Sequence, residues 1–466
     1  MTIANLPILF GEPEGPDGEA RAREELLPPG RSELGIDEAL QLAVRMHREG
    51  RLDGARMLYL RVLEVVPEHP DAMAMLGVVE HQLGHNDEAV RLLREAAERV
   101  PGFMGFHLNL GNVLASCNRL EEALQSYEKA LELAPHEPDL HNNFGAVLQA
   151  LKRWDDARAA FDRALALDAG HVRAWNNLGL LHEALGDTPA SIRAYLKALD
   201  LSPGHGISAI MLGRAFFKLG QREKAIEVFR QWMLQFPDDP TAKHMLAAAS
   251  GEGVPERAAD DYIEQHFDSF AASFEQVLNE RLDYRAPLLC AQMLGQCAGE
   301  PARALEVLDI GCGTGLCGPL IAPWARRLVG VDLSAGMLMR ARSKGVYDEL
   351  VKAELTAFLR STPDVWDAAV CADTLCYFGD LHDAMAAAAT SLRAGAVLVF
   401  TVEALADDGA GEPKIQHHGR YAHGSAHIEH AIVAAGLTME HARREVLRQE
   451  GGEPVHGWLL AVRRPR

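Results

Sequence analysis

A 34-residue period runs through the first half of the chain, and no other feature narrows the possible folds as far. Counted from Asp37, the pattern restarts at Asp71, Gly105, Asp139, Arg173 and Ile207. Position 7 of each unit is small: Ala43, Gly77, Gly111, Gly145, Gly179 and Gly213. Position 19 is small too: Ala55, Ala89, Ala123, Ala157, Ser191 and Ala225. Small residues at both places let the two antiparallel helices of one unit approach closely. Position 23 is large (Tyr59, Leu93, Tyr127, Phe161, Tyr195, Phe229), which predicts a side chain filling the gap between neighbouring units. Position 31 is proline at Pro67, Pro101, Pro135, Pro203 and Pro237, with Ala169 the exception. Proline has no amide hydrogen and ends the second helix of each pair. Thr241 to Ser250 then reads as a capping helix over the last apolar face.

These phased positions resemble the tetratricopeptide repeat family over about residues 37–240, in six units. The resemblance implies an all-α superhelix whose concave groove takes a peptide or protein partner. Position 5 carries Asn109, Asn143 and Asn177, with Met75 and Met211 at the flanking equivalents. A ladder of amides offers donors and acceptors to an extended peptide, or simply meets water.

Ahead of the repeats, residues 1–36 read as a disordered tail rich in Pro, Gly and Glu, without the basic-then-apolar order of a secretory signal. After them, Gly251-Glu-Gly-Val-Pro255 marks a break, and 251–263 reads as a linker. Beyond it the period vanishes and strand-like runs alternate with helical stretches: Ala304–Ile310, Arg327–Val331, Ala368–Ala372 and Ala396–Val402. That alternation predicts a parallel sheet covered by helices over 264–466. The formal net charge of −20 argues against nucleic acid as the main partner. No run is long and apolar enough for a bilayer, so a cytoplasmic protein without membrane contact is expected. Seven scattered cysteines without a C-x-x-C suggest neither a disulfide frame nor a zinc site.

The chemistry concentrates in Leu305-Glu-Val-Leu-Asp-Ile-Gly-Cys-Gly-Thr-Gly-Leu316. An apolar strand runs into Asp309 and then into Gly311, Gly313 and Gly315, where missing side chains let a ligand approach the backbone. A second strand ends in Asp332, a carboxylate placed to accept hydrogen bonds from ribose hydroxyls. The carboxylate of Asp309 would repel a pyrophosphate and attract an ammonium, which separates a sulfonium amino acid from a dinucleotide.

Residues 307–333 resemble the class I S-adenosylmethionine-dependent methyltransferases, and the likeness extends over roughly 260–463. It implies a Rossmann-like α/β domain with a mostly parallel seven-stranded sheet, S-adenosylmethionine as cofactor, and a set of site residues. Asp309, Gly311, Cys312, Gly313 and Gly315 would carry the methionine moiety, and Asp332 the ribose. Leu333 and Met337 would lie near the adenine; Glu354 and Leu355 would meet its amino group, unless Glu354 is a solvated loop carboxylate. Asp373 and Tyr377 would face the transferable methyl, with Cys376 explained by core packing. The stretches 267–275 and 282–287 resemble a helical lid in a narrower group of repeat-bearing methyltransferases, with Phe270 and Tyr284 near the cofactor. The segment 419–423 would line the substrate side.

His423, His427 and His430 share one face if their segment is helical, but no carboxylate or cysteine completes a metal site, and none is expected. His423 is the candidate general base beside Tyr377. Two functions follow: a methyltransferase acting on oxygen or nitrogen of a peptide, protein or small molecule recruited by the repeats, or a scaffold whose cofactor-binding domain does not turn over.

Overall fold

The computed structural model describes residues 8–9, 33–270, 283–406, 411–450 and 453–466. The expected tail and the segment 271–282 of the expected lid therefore lie almost wholly outside the described residues, as does the side chain of Phe270. The chain forms two compact units, up to Leu185 and from Gly186 onward.

The first unit is a run of helices: α1 (Ile36–Arg48), α2 (Leu52–Val65), α3 (Pro70–Gln82), α4 (Asn86–Arg99), α5 (Met104–Ser116), α6 (Leu120–Leu133), α7 (Pro138–Ala150), α8 (Trp154–Leu167) and α9 (Val172–Ala184). Each second helix stops two residues before position 31, as α2 does before Pro67 and α4 before Pro101, and α8 does so although residue 169 is alanine. The large residue of position 23 packs inside its own unit as well as against the next, where Tyr59 shares a cluster with Leu76 and Leu92. A methyl group on Gly111 would lie 2.7 Å from the Tyr127 ring, and one on Gly145 2.7 Å from the Phe161 ring. In these two units position 7 is glycine because the ring of position 23 occupies the room a side chain would take.

The expected asparagine ladder is rearranged as well. Asn143 Nδ2 donates to Asn112 Oδ1 at 3.2 Å, and Asn177 Nδ2 donates to Asn142 Oδ1 at 2.9 Å. Two of the three ladder amides are thus bound to asparagines that the position-5 pattern does not include. Asn109 lies half-buried on α5.

The second unit opens with α10 (Thr188–Leu201), α11 (Gly206–Lys218), α12 (Arg222–Gln235) and the capping helix α13 (Pro240–Ser250). Asp239 caps α13 by accepting from the Thr241 and Ala242 amides. The expected linker is not a free tether. The Glu256 carbonyl accepts from the Gly379 and Asp380 amides at 2.7 and 2.9 Å, and the Ala258 amide donates to the Tyr377 carbonyl. Helix α14 (Asp260–Phe270) follows at once.

The rest is an α/β fold built from α15 (Ala286–Ala298), β1 (Leu305–Ile310), α16 (Gly318–Ile321), β2 (Ala325–Asp332), α17 (Ala335–Arg342), β3 (Glu349–Lys352), α18 (Leu355–Ser361), β4 (Trp366–Cys371), α19 (His382–Ser391), β5 (Leu392–Ala404), β6 (Lys414–Ile415), β7 (Tyr421–His423), α20 (Ser425–Ala434), β8 (Thr438–Glu450) and β9 (Glu453–Arg463). The main sheet has the order β8-β9-β5-β4-β1-β2-β3, with short β7 beside β5 and β6 beside β7. Strands β3, β2, β1, β4 and β5 run parallel, while β9 and β8 close one edge antiparallel. The mostly parallel sheet of seven main strands is the expected one. Its central strands are mostly apolar because helices cover both faces: Val307, Leu308 and Ile310 are buried, as are Ala368 to Cys371. The strand-like run read from Ala396 begins earlier, at Leu392.

Candidate functional site

A cavity of about 700 Å³ opens at the carboxyl ends of β1, β2 and β4. In an open parallel sheet this edge is where loops diverge and leave a crevice. The cavity wall includes Gly311, Cys312 and Gly313 after β1; Asp332, Leu333 and Met337 after β2; Glu354 and Leu355 after β3; and Asp373 and Tyr377 after β4. Tyr284 joins them from the segment before α15. Eleven residues singled out in the sequence are therefore brought together.

The glycine turn is built by close approach. Gly311 has φ of 64°, and a methyl group there would sit 2.2 Å from Thr374 Oγ1. Its amides are largely spoken for: Cys312 N–H donates to the Val331 carbonyl at 3.0 Å, Gly313 N–H to Asp332 Oδ2 at 2.9 Å, and Gly315 N–H to the Cys312 carbonyl at 2.8 Å. Such a turn has few donors left for a phosphate. The hydroxyl of fully buried Thr314, which also lines the cavity, has no hydrogen-bond partner among the described residues.

Two expected contacts fall elsewhere. Asp309 is buried beneath the turn, off the cavity wall, where the Tyr347 hydroxyl donates to its Oδ2 at 2.6 Å. Burial raises its pKa to about 7, against the pull of the Tyr347 hydrogen bond. It supports the turn from behind, so direct attraction of an ammonium by this group does not hold. Gly315 is also off the wall; a methyl group there would crowd Tyr347 and Ala341, which explains the glycine by packing.

Asp332 is placed in advance by its own neighbours: Oδ2 takes the Gly313 amide and Oδ1 the Ser334 amide at 2.8 Å. Burial pushes its pKa up, while those bonds oppose the shift. Glu354 lines the cavity but is engaged as the cap of α18, accepting from the Thr356 and Ala357 amides at 3.0 and 2.8 Å. Burial pushes its pKa up, yet the bonds from Thr356 and Ala357 outweigh it and hold the carboxyl below its usual range.

His423 cannot serve as the base. It lies in β7, fully buried and off the cavity wall, with Nε2 on the Phe378 carbonyl at 2.8 Å. Burial lowers its pKa to about 4. The shared helical face fails with it, since only His427 and His430 sit on α20. Burial likewise pushes the Tyr377 hydroxyl far above its ordinary range.

The far end of the cavity holds groups that the motifs do not reveal. Buried Arg448 donates to Asp373 Oδ2 at 2.5 Å and to Glu403, and Arg420 donates to Glu403 at 2.7 Å and to Glu450. Met211, expected on the repeat groove, and Arg214 reach the same cavity from α11. His244 of the capping helix donates from Nε2 to the Gly419 carbonyl at 2.7 Å and stacks on Tyr262 at 4.0 Å. The period assigns these residues to the repeats and carries no sign of this contact.

Residues 308–400 match the family model of a methyltransferase domain, and 46–103, 111–152, 143–206 and 182–249 match tetratricopeptide repeat models. The chain carries tetratricopeptide repeats and a methyltransferase domain. Over 112 residues it is 38% identical to methyltransferase-like protein 27 of Homo sapiens, covering 24% of this chain and 43% of that protein. Over 108 residues it is 29% identical to the biotin biosynthesis bifunctional protein BioHC of Saccharophagus degradans, covering 22% of this chain and 19% of that protein. The chain thus spans less than half the length of these curated relatives. A thermophilic tetratricopeptide repeat protein of Thermus thermophilus is similar at 25% identity and a TM-score of 0.35, over 39% of this chain and 99% of that one. No described helix is long and apolar enough to cross a membrane.

Proposed function

We propose that the chain moves a methyl group from S-adenosylmethionine to an oxygen or nitrogen of a peptide, protein or small molecule recruited by the repeats. In this reading residues 37–250 recruit and 264–466 catalyse. The amide accounting in the glycine turn carries it. Cys312, Gly313 and Gly315 spend their N–H groups inside the protein, which disfavours a pyrophosphate, while Thr314 and Asp332 leave a hydroxyl and a carboxylate for a polar nucleoside and amino acid.

The bound cofactor would bring both the methyl group and its leaving sulfur. The residues of the chain then orient and shield. Asp332, already fixed by two amides, would accept from the ribose hydroxyls, and Leu333 and Met337 would flank the base. Phe267 meets the Tyr377 ring edge-on at 5.6 Å, and with Tyr284 these rings keep water from the reacting atoms. No proton transfer is assigned to His423, whose nitrogen is committed to a carbonyl.

Calorimetry with S-adenosylmethionine and NAD in parallel tests the reading. Binding of the first and not the second is expected. Binding of neither at millimolar ligand, or of NAD alone, overturns it.

A further inference from the structure

Two helices outside the cofactor cavity bring together a carboxylate and three imidazoles. Asp380 and His382 stand at the start of α19, and His427 and His430 lie one turn apart on α20. Donor atoms of Asp380, His382 and His427 all lie within 4.8 Å of one another. We propose that Asp380, His382 and His427 bind a zinc ion that ties α19 to α20.

His382 is oriented by the other members of the cluster. Its Nδ1 lies 2.6 Å from Asp380 Oδ1, and its Nε2 lies 3.1 Å from His430 Nδ1. A neutral imidazole has one proton for these two contacts. Carried on Nδ1, it is donated to Asp380 Oδ1 while Nε2 accepts from His430; an ion bound at Nδ1 would take the place of that proton, and the proton moved to Nε2 would face His430. A ligating histidine has this arrangement: metal on one nitrogen, an outer acceptor on the other. His427 Nε2 lies 3.9 Å from the same Asp380 oxygen and accepts from the Leu381 amide at 3.4 Å, a long bond that an ion would displace.

Two imidazoles and one carboxylate suit zinc better than calcium or magnesium, which prefer oxygen. The side chains of Asp380 and His382 are 46% and 34% exposed, which leaves an entry path and room for water as a fourth ligand. None of the three lines the cofactor cavity. The ion would instead steady the loop from Tyr377 to Asp380, whose amides at Gly379 and Asp380 hold the Glu256 carbonyl. The proposal is independent of the cofactor assignment.

The test is titration of the chelator-treated full chain with Co²⁺, followed by its ligand-field absorption, then displacement by Zn²⁺. The same titration is run on the half-exposed variants His382→Gln and Asp380→Asn. One equivalent of Co²⁺ displaced by Zn²⁺ is expected, with affinity reduced roughly tenfold or more in either variant. Thermal unfolding should rise on adding Zn²⁺ in the parent chain and not in His382→Gln. Uptake that is equal in parent and variants overturns the site, and so does a parent chain that takes up no ion.

Discussion

Replacing Gly311 by alanine asks for two things the turn cannot give. The residue sits at φ of 64°, a left-handed backbone that costs an L-residue about 1–2 kcal/mol. The added methyl also lands 2.2, 2.5 and 2.8 Å from Oγ1, Cγ2 and Cβ of Thr374, whose hydroxyl hydrogen-bonds the strand end at the Ile310 and Gly311 carbonyls. Overpacking of this kind costs about 1–3 kcal/mol, so the Gly311→Ala variant should lose about 2–5 kcal/mol. Urea unfolding followed by tryptophan fluorescence measures it, since Trp324 and Trp366 lie in the α/β fold. The two contributions separate in a Thr374→Gly background, where the contact with all three Thr374 atoms is gone and only the backbone cost remains. Gly311→Ala should therefore cost about 1–3 kcal/mol less there than in the parent. A loss of under about 1 kcal/mol in the parent, or the same loss in both backgrounds, would refute the claim that close approach to Thr374 dictates glycine at this position.

Three further outcomes are expected. Asp309 is raised from 3.8 to about 7, so its contribution to stability is full below 3.8 and lost as pH rises through about 7. The stability of the parent relative to Asp309→Asn should accordingly fall between those limits, as read from urea midpoints across pH; a pH-independent difference contradicts the buried, protonated carboxyl. Arg448→Met removes the ion-pair partner of Asp373 and leaves Glu403 with Arg420, their side chains being 14% and 4% exposed, and should cost about 3–5 kcal/mol in the same unfolding assay. Removing residues up to 185 should leave S-adenosylmethionine affinity unchanged by calorimetry while raising KM for a peptidic acceptor. Removing residues up to 250 should also weaken the cofactor, because Met211 and Arg214 leave the cavity wall.

The parts of this molecule that follow a period or a strand pattern are legible before any coordinates. Helix pairs have to repeat their small and large residues, and a doubly covered sheet has to be apolar through its centre, so both leave marks at fixed spacing. The glycine turn is legible for a related reason: three positive φ angles within five residues, at Gly311, Gly313 and Gly315, leave little choice of residue. What the spacing conceals is which neighbour forces each choice. Position 23 reads as filling between units, and only contact distances add that Tyr127 and Phe161 also press on the small residue of their own unit.

Polar residues mislead more often, and for a different reason. A charged side chain on the sequence of an edge strand looks solvated, and Arg448 near the end of β8 has that appearance in Val446-Leu-Arg-Gln-Glu450. Its burial depends on Asp373 after β4 and Glu403 on β5, acids 75 and 45 residues away that neutralise it. A buried charge is tolerated only when its partners arrive from elsewhere in the fold. The same dependence moves Asp309 off the cavity wall through Tyr347, commits Glu354 to a helix end, and takes His423 out of play through the Phe378 carbonyl. Each of these groups is placed by a hydrogen bond whose other half the local motif does not contain. A motif therefore locates the crevice, whereas the assignment of a proton or a ligand contact within it has to come from the pairing of donors and acceptors in the folded chain.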